Sequence, residues 1–168
     1  IYGPEGSGKS TVARIIERDW CPVYYTDIRA RVIEHTNPKA IAGIKSLFGN
    51  GIYLPDGTRD KARIAGIVFS NPSRLKDLNS LIHPLVKEDF LEFAESNSQS
   101  EFVAIESAIL VSSGFHKLTS FNILVKASAE TRIKRVMQRD NATREQVMSR
   151  ISSQMPDSET ARYCKYTI

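Results

Sequence analysis

The run Gly3-Pro4-Glu5-Gly6-Ser7-Gly8-Lys9-Ser10 constrains the fold more than any other feature of the chain. Glycines at positions 3, 6 and 8 let successive backbone N–H groups turn inward around an anion without Cβ clashes. A helix starting at the end of the loop adds its positive dipole end. Such a loop belongs between a buried strand and a helix. Ile1-Tyr2 supplies the end of an apolar strand, and Val12, Ile15 and Ile16 recur at helical spacing between Ser10 and Asp19. The run is therefore read as a cradle for nucleotide phosphates formed by Gly3, Glu5, Gly6, Ser7, Gly8, Lys9, Ser10 and Thr11. Lys9 is placed to reach the β- and γ-phosphates, the Ser10 hydroxyl to join the shell of the Mg²⁺ that bridges them, and Thr11 to touch the α-phosphate. ATP and Mg²⁺ are the expected ligands.

Past Cys21-Pro22, the residues Val23-Tyr24-Tyr25-Thr26 read as a second strand. From Asp27 to Phe48 two helical stretches are divided by Asn37-Pro38, and an irregular, glycine-rich loop follows. Asp60 caps a helix running to Phe69, Asn71-Pro72 opens another, and His83-Pro84 opens a third through Phe93. Phe102 to Ile105, ending at Glu106, and Phe121 to Lys126 read as buried strands. Ser128 caps a helix, Asp140-Asn141-Ala142 interrupts it, and Thr143 with Gln146 forms a capping box for a final helix towards Pro156. Tyr166-Thr167-Ile168 reads as one more strand, just starting. Strands separated by helices imply an α/β domain whose parallel sheet is covered on both faces, with a helical insertion between its second and third strands. Both ends of the chain are expected to be incomplete.

Ligands of such sheets gather at the carboxyl ends of the strands, where the loop, Asp27 and Glu106 all fall. Asp27 is read as the group that orients an acceptor hydroxyl and takes its proton late, or as a helix N-cap, or as both. Glu106 follows four apolar residues as a Walker B acid does, and is read either as holding a magnesium-bound water or as a helix-start acid. Arg132, Arg135 and Arg139 recur at steps of three and four, and are read either as a solvated helix face or as part of the phosphate site. The break after Arg139 suggests a lid, so at least one of Arg135, Arg139 and Arg144 is expected over the γ-phosphate. Arg29 and Arg31 are read either as gripping acceptor phosphates or as coating a helix. His83 is either a packed or capping residue or a contact to the acceptor.

Taken together, these residues resemble the dephospho-coenzyme A kinase family over nearly the whole chain. The likeness is carried by Gly3 to Thr11, Asp27-Ile28-Arg29-Ala30-Arg31, Leu47-Phe48-Gly49 and Asp56-Gly57. More specific are Ile67-Val68-Phe69-Ser70-Asn71-Pro72, Leu78-Asn79 and Ile82-His83-Pro84-Leu85. It continues in Met137-Gln138-Arg139-Asp140, Thr143-Arg144-Glu145 and Gln154-Met155-Pro156. The resemblance implies ATP-dependent phosphorylation of the ribose 3′-hydroxyl of dephospho-coenzyme A, the last step of coenzyme A synthesis. It implies a P-loop NTPase core like that of nucleoside monophosphate kinases, a three-layer fold with five parallel strands, a helical acceptor-binding insertion and a lid. The core then comprises residues 1–36 and 99–168, with the lid at about 139–155, and the acceptor-binding insertion comprises 37–98. Asp27, Lys9 and Arg139 match the family's base, ATP-binding lysine and lid arginine, and Ser10 its magnesium residue. Two departures stand out. Tyr25-Thr26-Asp27 keeps only the second of two aspartates found in many members, and Glu106-Ser107-Ala108-Ile109-Leu110 stands where a Val-Pro-Leu-Leu motif is frequent.

Another P-loop kinase, acting on nucleoside monophosphates or shikimate, fits the loop but not the Ile82-His83-Pro84 signature. A GTPase switch would need Asn-Lys-x-Asp and Asp-x-x-Gly segments, and neither occurs. The net charge of +4 is modest and the basic residues lie around the phosphate site rather than on one aromatic-rich surface, so nucleic acid is not an expected partner. No apolar run approaches the roughly 20 residues that span a bilayer. Two cysteines without metal-type spacing fit a reducing cytoplasm. A monomer, or at most a weak oligomer, is expected.

Overall fold

The computed structural model of the protein describes residues 1–71 and 73–168; Pro72, expected to open a helix, lies outside them. In chain order the elements are α1 (Lys9–Asp19), β1 (Val23–Tyr25), α2 (Thr26–Thr36), α3 (Pro38–Phe48), α4 (Lys61–Ser70), α5 (Ser73–Ser96), β2 (Ala104–Glu106), β3 (Ile123–Leu124), α6 (Ala129–Asp140), α7 (Arg144–Ser152), α8 (Asp157–Thr160) and β4 (Tyr166–Thr167). They form two compact units: Ile1–Tyr25 with Asn97–Ile168, and Thr26–Ser96.

The first unit is an α/β layer structure. β1 pairs in parallel with β2, with Tyr25 opposite Glu106, and β3 pairs in parallel with β4. Tyr2 joins the two pairs by parallel bridges to Ser107 and Leu124. Its N–H donates to Ile123 O at 2.8 Å and its carbonyl accepts from Val125 N at 2.8 Å. The order across the layer is therefore β1, β2, Tyr2, β3, β4. β3 itself covers Ile123–Leu124, and bonding continues on either side of it, with Lys165 N donating to Asn122 O and Lys126 N to Ile168 O, both at 2.8 Å. Ile1, Ala13, Val23 and Val125 bury one face of the layer, where α1 packs through Val12 and Ile16. A second cluster, Ile133, Val136 and Val147, joins α6 to α7. Asn141 turns the chain between those two helices in the left-handed region at φ 51°, which asparagine tolerates better than most residues.

The second unit is helical. Asn37 caps α3 by accepting from Lys39 N at 2.9 Å and Ala40 N at 3.2 Å, with Pro38 at the first helical position. Asp60 caps α4 through Arg63 N at 2.9 Å. Gly43 of α3 lies against Leu81 of α5 so closely that an added Cβ would come within 2.6 Å of Leu81 Cδ2. Two expectations are corrected here. His83-Pro84 does not open a new helix, because α5 continues through it to Ser96. The proline removes one N–H, but Leu78, Ile82, Leu85, Val86 and Phe90 are buried on both sides of it, and their packing outweighs one lost helical bond. Asp27 is not an N-cap either. α2 starts at Thr26, so Asp27 stands in the first turn, where its charge favours the positive end of the helix dipole.

Candidate active site

Gly6 and Gly8 of the loop have φ of 78° and 100°, values that favour glycine. Gly3 is demanded by space, since a Cβ there would stand 2.4 Å from Ser7 Oγ and 2.8 Å from Val125 O. At the end of β2, Glu106 is buried, and Ser10 Oγ donates to its Oε1 at 3.2 Å while Lys9 Nζ lies 3.7 Å from the same oxygen. The base of the loop, its lysine and its hydroxyl thus converge on one carboxylate at a strand end. An ammonium, a hydroxyl and a carboxylate within 4 Å suit a phosphate-bound divalent cation, which takes oxygen ligands. No group of three or more His, Cys, Asp or Glu side chains gathers among the described residues. A cation at this point would complete its shell from water and phosphate, as Mg²⁺ does.

The arginines of α6 divide by burial. Arg132, 6% exposed, faces the loop, with Nε donating to the Glu5 carbonyl at 3.0 Å and Nη1 3.7 Å from Asp157. It is not part of a solvated stripe. Arg135 donates through Nη1 to the carbonyls of Gly6 at 3.3 Å and Ser7 at 3.2 Å. Arg139, exposed, donates to Glu5 Oε1 at 2.8 Å and to Asp140. The Arg139 guanidinium holds the Asp140 carboxyl down at about 2, with Arg150 adding to the effect. Arg144 pairs with Glu130. Of the expected lid residues, then, Arg135 and Arg139 meet the loop through its carbonyls and through Glu5, while Arg144 ties α7 to the first turn of α6.

In the helical unit, Asp27 and Arg31 are exposed on α2. Arg29 forms a bidentate pair with Asp89 of α5. His83 is half-buried inside α5, and burial pushes its pKa below the ordinary histidine value. A further feature had no local signal in the sequence: Glu34, buried, forms an ion pair with Arg59, while Tyr53 donates to the Glu34 carbonyl at 2.7 Å. The partners lie 19 and more residues apart, beyond any helical spacing. Gln154 belongs to a motif of the family resemblance, but its contact, accepting from Glu5 N at 3.1 Å, had no local signal, the two residues being 149 apart.

A family model described as dephospho-CoA kinase matches residues 1–168. A dephospho-CoA kinase of Bacteroides fragilis is 34% identical over 168 residues, covering 100% of this chain and 82% of the relative. One from Porphyromonas gingivalis is 38% identical over 162 residues, covering 96% of this chain and 79% of its own. Among solved structures, TT1252 from Thermus thermophilus superposes with a TM-score of 0.82 at 32% identity, over 99% of this chain and 84% of that one. A dephospho-CoA kinase from Campylobacter jejuni has a TM-score of 0.69 at 24% identity, a likeness of fold.

Proposed function

The chain belongs to the dephospho-CoA kinase family and performs the last step of coenzyme A synthesis with ATP as donor, and from that premise we propose how its residues carry the transfer to the 3′-hydroxyl of the ribose. The observation that carries this reading is the meeting of Lys9 and Ser10 at Glu106, which lie 3.7 Å and 3.2 Å from one carboxylate oxygen.

Gly3 and Glu5 to Thr11 form the donor site. Their N–H groups and the start of α1 hold the phosphates of ATP, and Lys9 moves from Glu106 to the β- and γ-oxygens. Ser10 and Glu106 are the residues that would hold Mg²⁺, the hydroxyl as a ligand and the carboxylate through its water shell. Bound there, Mg²⁺ neutralises charge on the transferred group and the leaving diphosphate. Arg139 is the arginine that stabilises the transferring phosphoryl group, with Arg135 and Arg144 flanking it in a lid over about 139–155. Its present partner, Glu5, is exposed enough to exchange with a phosphate oxygen. Asp27 orients the acceptor hydroxyl and receives its proton late, since in a loose transition state the alcohol needs little activation before bond formation. Support for this comes from the chain path: β1 ends at Tyr25, which pairs with Glu106, and Asp27 follows two residues later.

The helical stretch 37–98 is the acceptor-binding insertion, in which Arg31, just before it on α2, and His83 contact dephospho-coenzyme A. The core has the three-layer arrangement of nucleoside monophosphate kinases. Release of ADP, measured with dephospho-coenzyme A, AMP, shikimate and no acceptor in parallel, tests the reading. Turnover only with dephospho-coenzyme A is expected, and equal rates in all four would defeat it.

A further inference from the structure

Carbonyl groups of the loop are held from α6 by arginine side chains. Arg132 Nε donates to the Glu5 carbonyl at 3.0 Å, and Arg135 Nη1 donates to the Ser7 carbonyl at 3.2 Å. Every peptide bond here is trans, so the N–H that shares a plane with each carbonyl points the opposite way. Drawing the Glu5 and Ser7 carbonyls towards α6 therefore aims the N–H groups of Gly6 and Gly8 away from it. The absence of a Cβ at Gly6 lets α6 come this close, since an ideal Cβ there would stand 2.7 Å from the Arg132 carbonyl.

One side chain fixes the remaining freedom. Gln154, in the segment after α7, accepts with its Oε1 from Glu5 N at 3.1 Å and from Arg132 Nη2 at 3.5 Å. Glu5 is thus gripped at both its N–H and its carbonyl, the first by Gln154 and the second by the arginine that Gln154 also holds. Asp157 closes the set from the far side of Arg132 at 3.7 Å. We infer that Arg132 and Gln154 are positioning residues for the nucleotide loop: they set the peptide plane that aims Gly6 N–H, and they make that setting depend on the chain segment that follows α7. Two cations behind the carbonyls also deepen the positive potential on the side of the loop that faces phosphate.

This rests on Gly3 to Thr11 being the donor site, and the assay separates the two ideas. What Gln154 supplies is an acceptor, so Gln154→Met removes the function at nearly constant volume and Gln154→Glu preserves it. Titration of a fluorescent ADP analogue should show binding by Gln154→Met weakened about tenfold, the value of one lost hydrogen bond to a held peptide. Turnover at saturating ATP and the KM for dephospho-coenzyme A should stay within about threefold of the parent, and Gln154→Glu should bind as the parent does. Should Gln154→Met lose its fold, Gln154→Asn, whose acceptor sits one methylene short of Glu5 N, takes its place with the same expectation. Parent-like ADP binding by the variant without a reachable acceptor, or equal weakening in Gln154→Glu, overturns the inference. Lys9→Met is the control. If it too binds ADP normally, the donor-site reading fails; if it does not, a normal Gln154→Met defeats only the positioning role.

Discussion

At the scale of single residues, the site is built from groups whose partners differ with what they must release. Lys9 sits 3.7 Å from Glu106, an ion pair loose enough to be exchanged for phosphate, whereas Arg132 is buried with three partners and is built to stay. Burying Arg132 without those partners would leave an uncompensated charge, which is costly in a low-dielectric interior. Asp27 has the opposite setting. It is exposed in the first turn of α2, available to a ligand. Asp27→Asn keeps the shape and removes the proposed proton acceptor, so turnover should fall by about 10² to 10⁴ while ATP binding is largely retained. Steady-state kinetics beside nucleotide titration checks this, and near-normal turnover would remove Asp27 from the chemistry.

At the scale of elements, α5 shows packing overruling a local signal. Pro84 is exposed and its missing N–H leaves the Ser80 carbonyl without its helical donor, yet the helix runs on because five apolar residues around it are buried. Pro84→Ala restores that bond without opening a cavity, and should raise the stability of the protein by roughly 1–3 kcal/mol, seen as a melting temperature several degrees higher. A lower melting temperature would mean that the ring itself packs where alanine cannot. The same helix marks how far the sequence could be read. Asp60, Ser128 and the Thr143–Gln146 box announce their helices because a cap acts within three residues of itself. Gly3, Gly6 and Gly8 announce the loop because no other residue meets its geometry. The passage through His83-Pro84 was not legible, since it is decided by burial among α2, α3 and α5. Nor was the inward turn of Arg132, whose spacing with Arg135 and Arg139 looks the same whether the helix faces water or the loop.

At the scale of the whole molecule, the two units differ in how their chain is assembled. The helical unit is one unbroken stretch, Thr26–Ser96, whereas the α/β unit takes Ile1–Tyr25 from before it and Asn97–Ile168 from after it. An open phosphate site invites transfer to water, so we expect the lid to settle only when both substrates are present. Trypsin should then cleave at Arg139 and Arg144 in the free protein and with either ligand alone, and be held off with a nonhydrolysable ATP analogue plus dephospho-coenzyme A. Identical cleavage in all four conditions would count against closure. The seam at Tyr2 reaches further still, into the life of the chain on the ribosome. Tyr2 bridges to Ser107 and bonds to Ile123 and Val125, so at about 5–20 residues per second the loop that follows it waits roughly 6 to 24 seconds before its strand acquires both neighbours. The helical unit, which ends at Ser96, is complete only towards the end of that interval, and until Ile123 emerges the loop's strand lacks a neighbour it has in the fold.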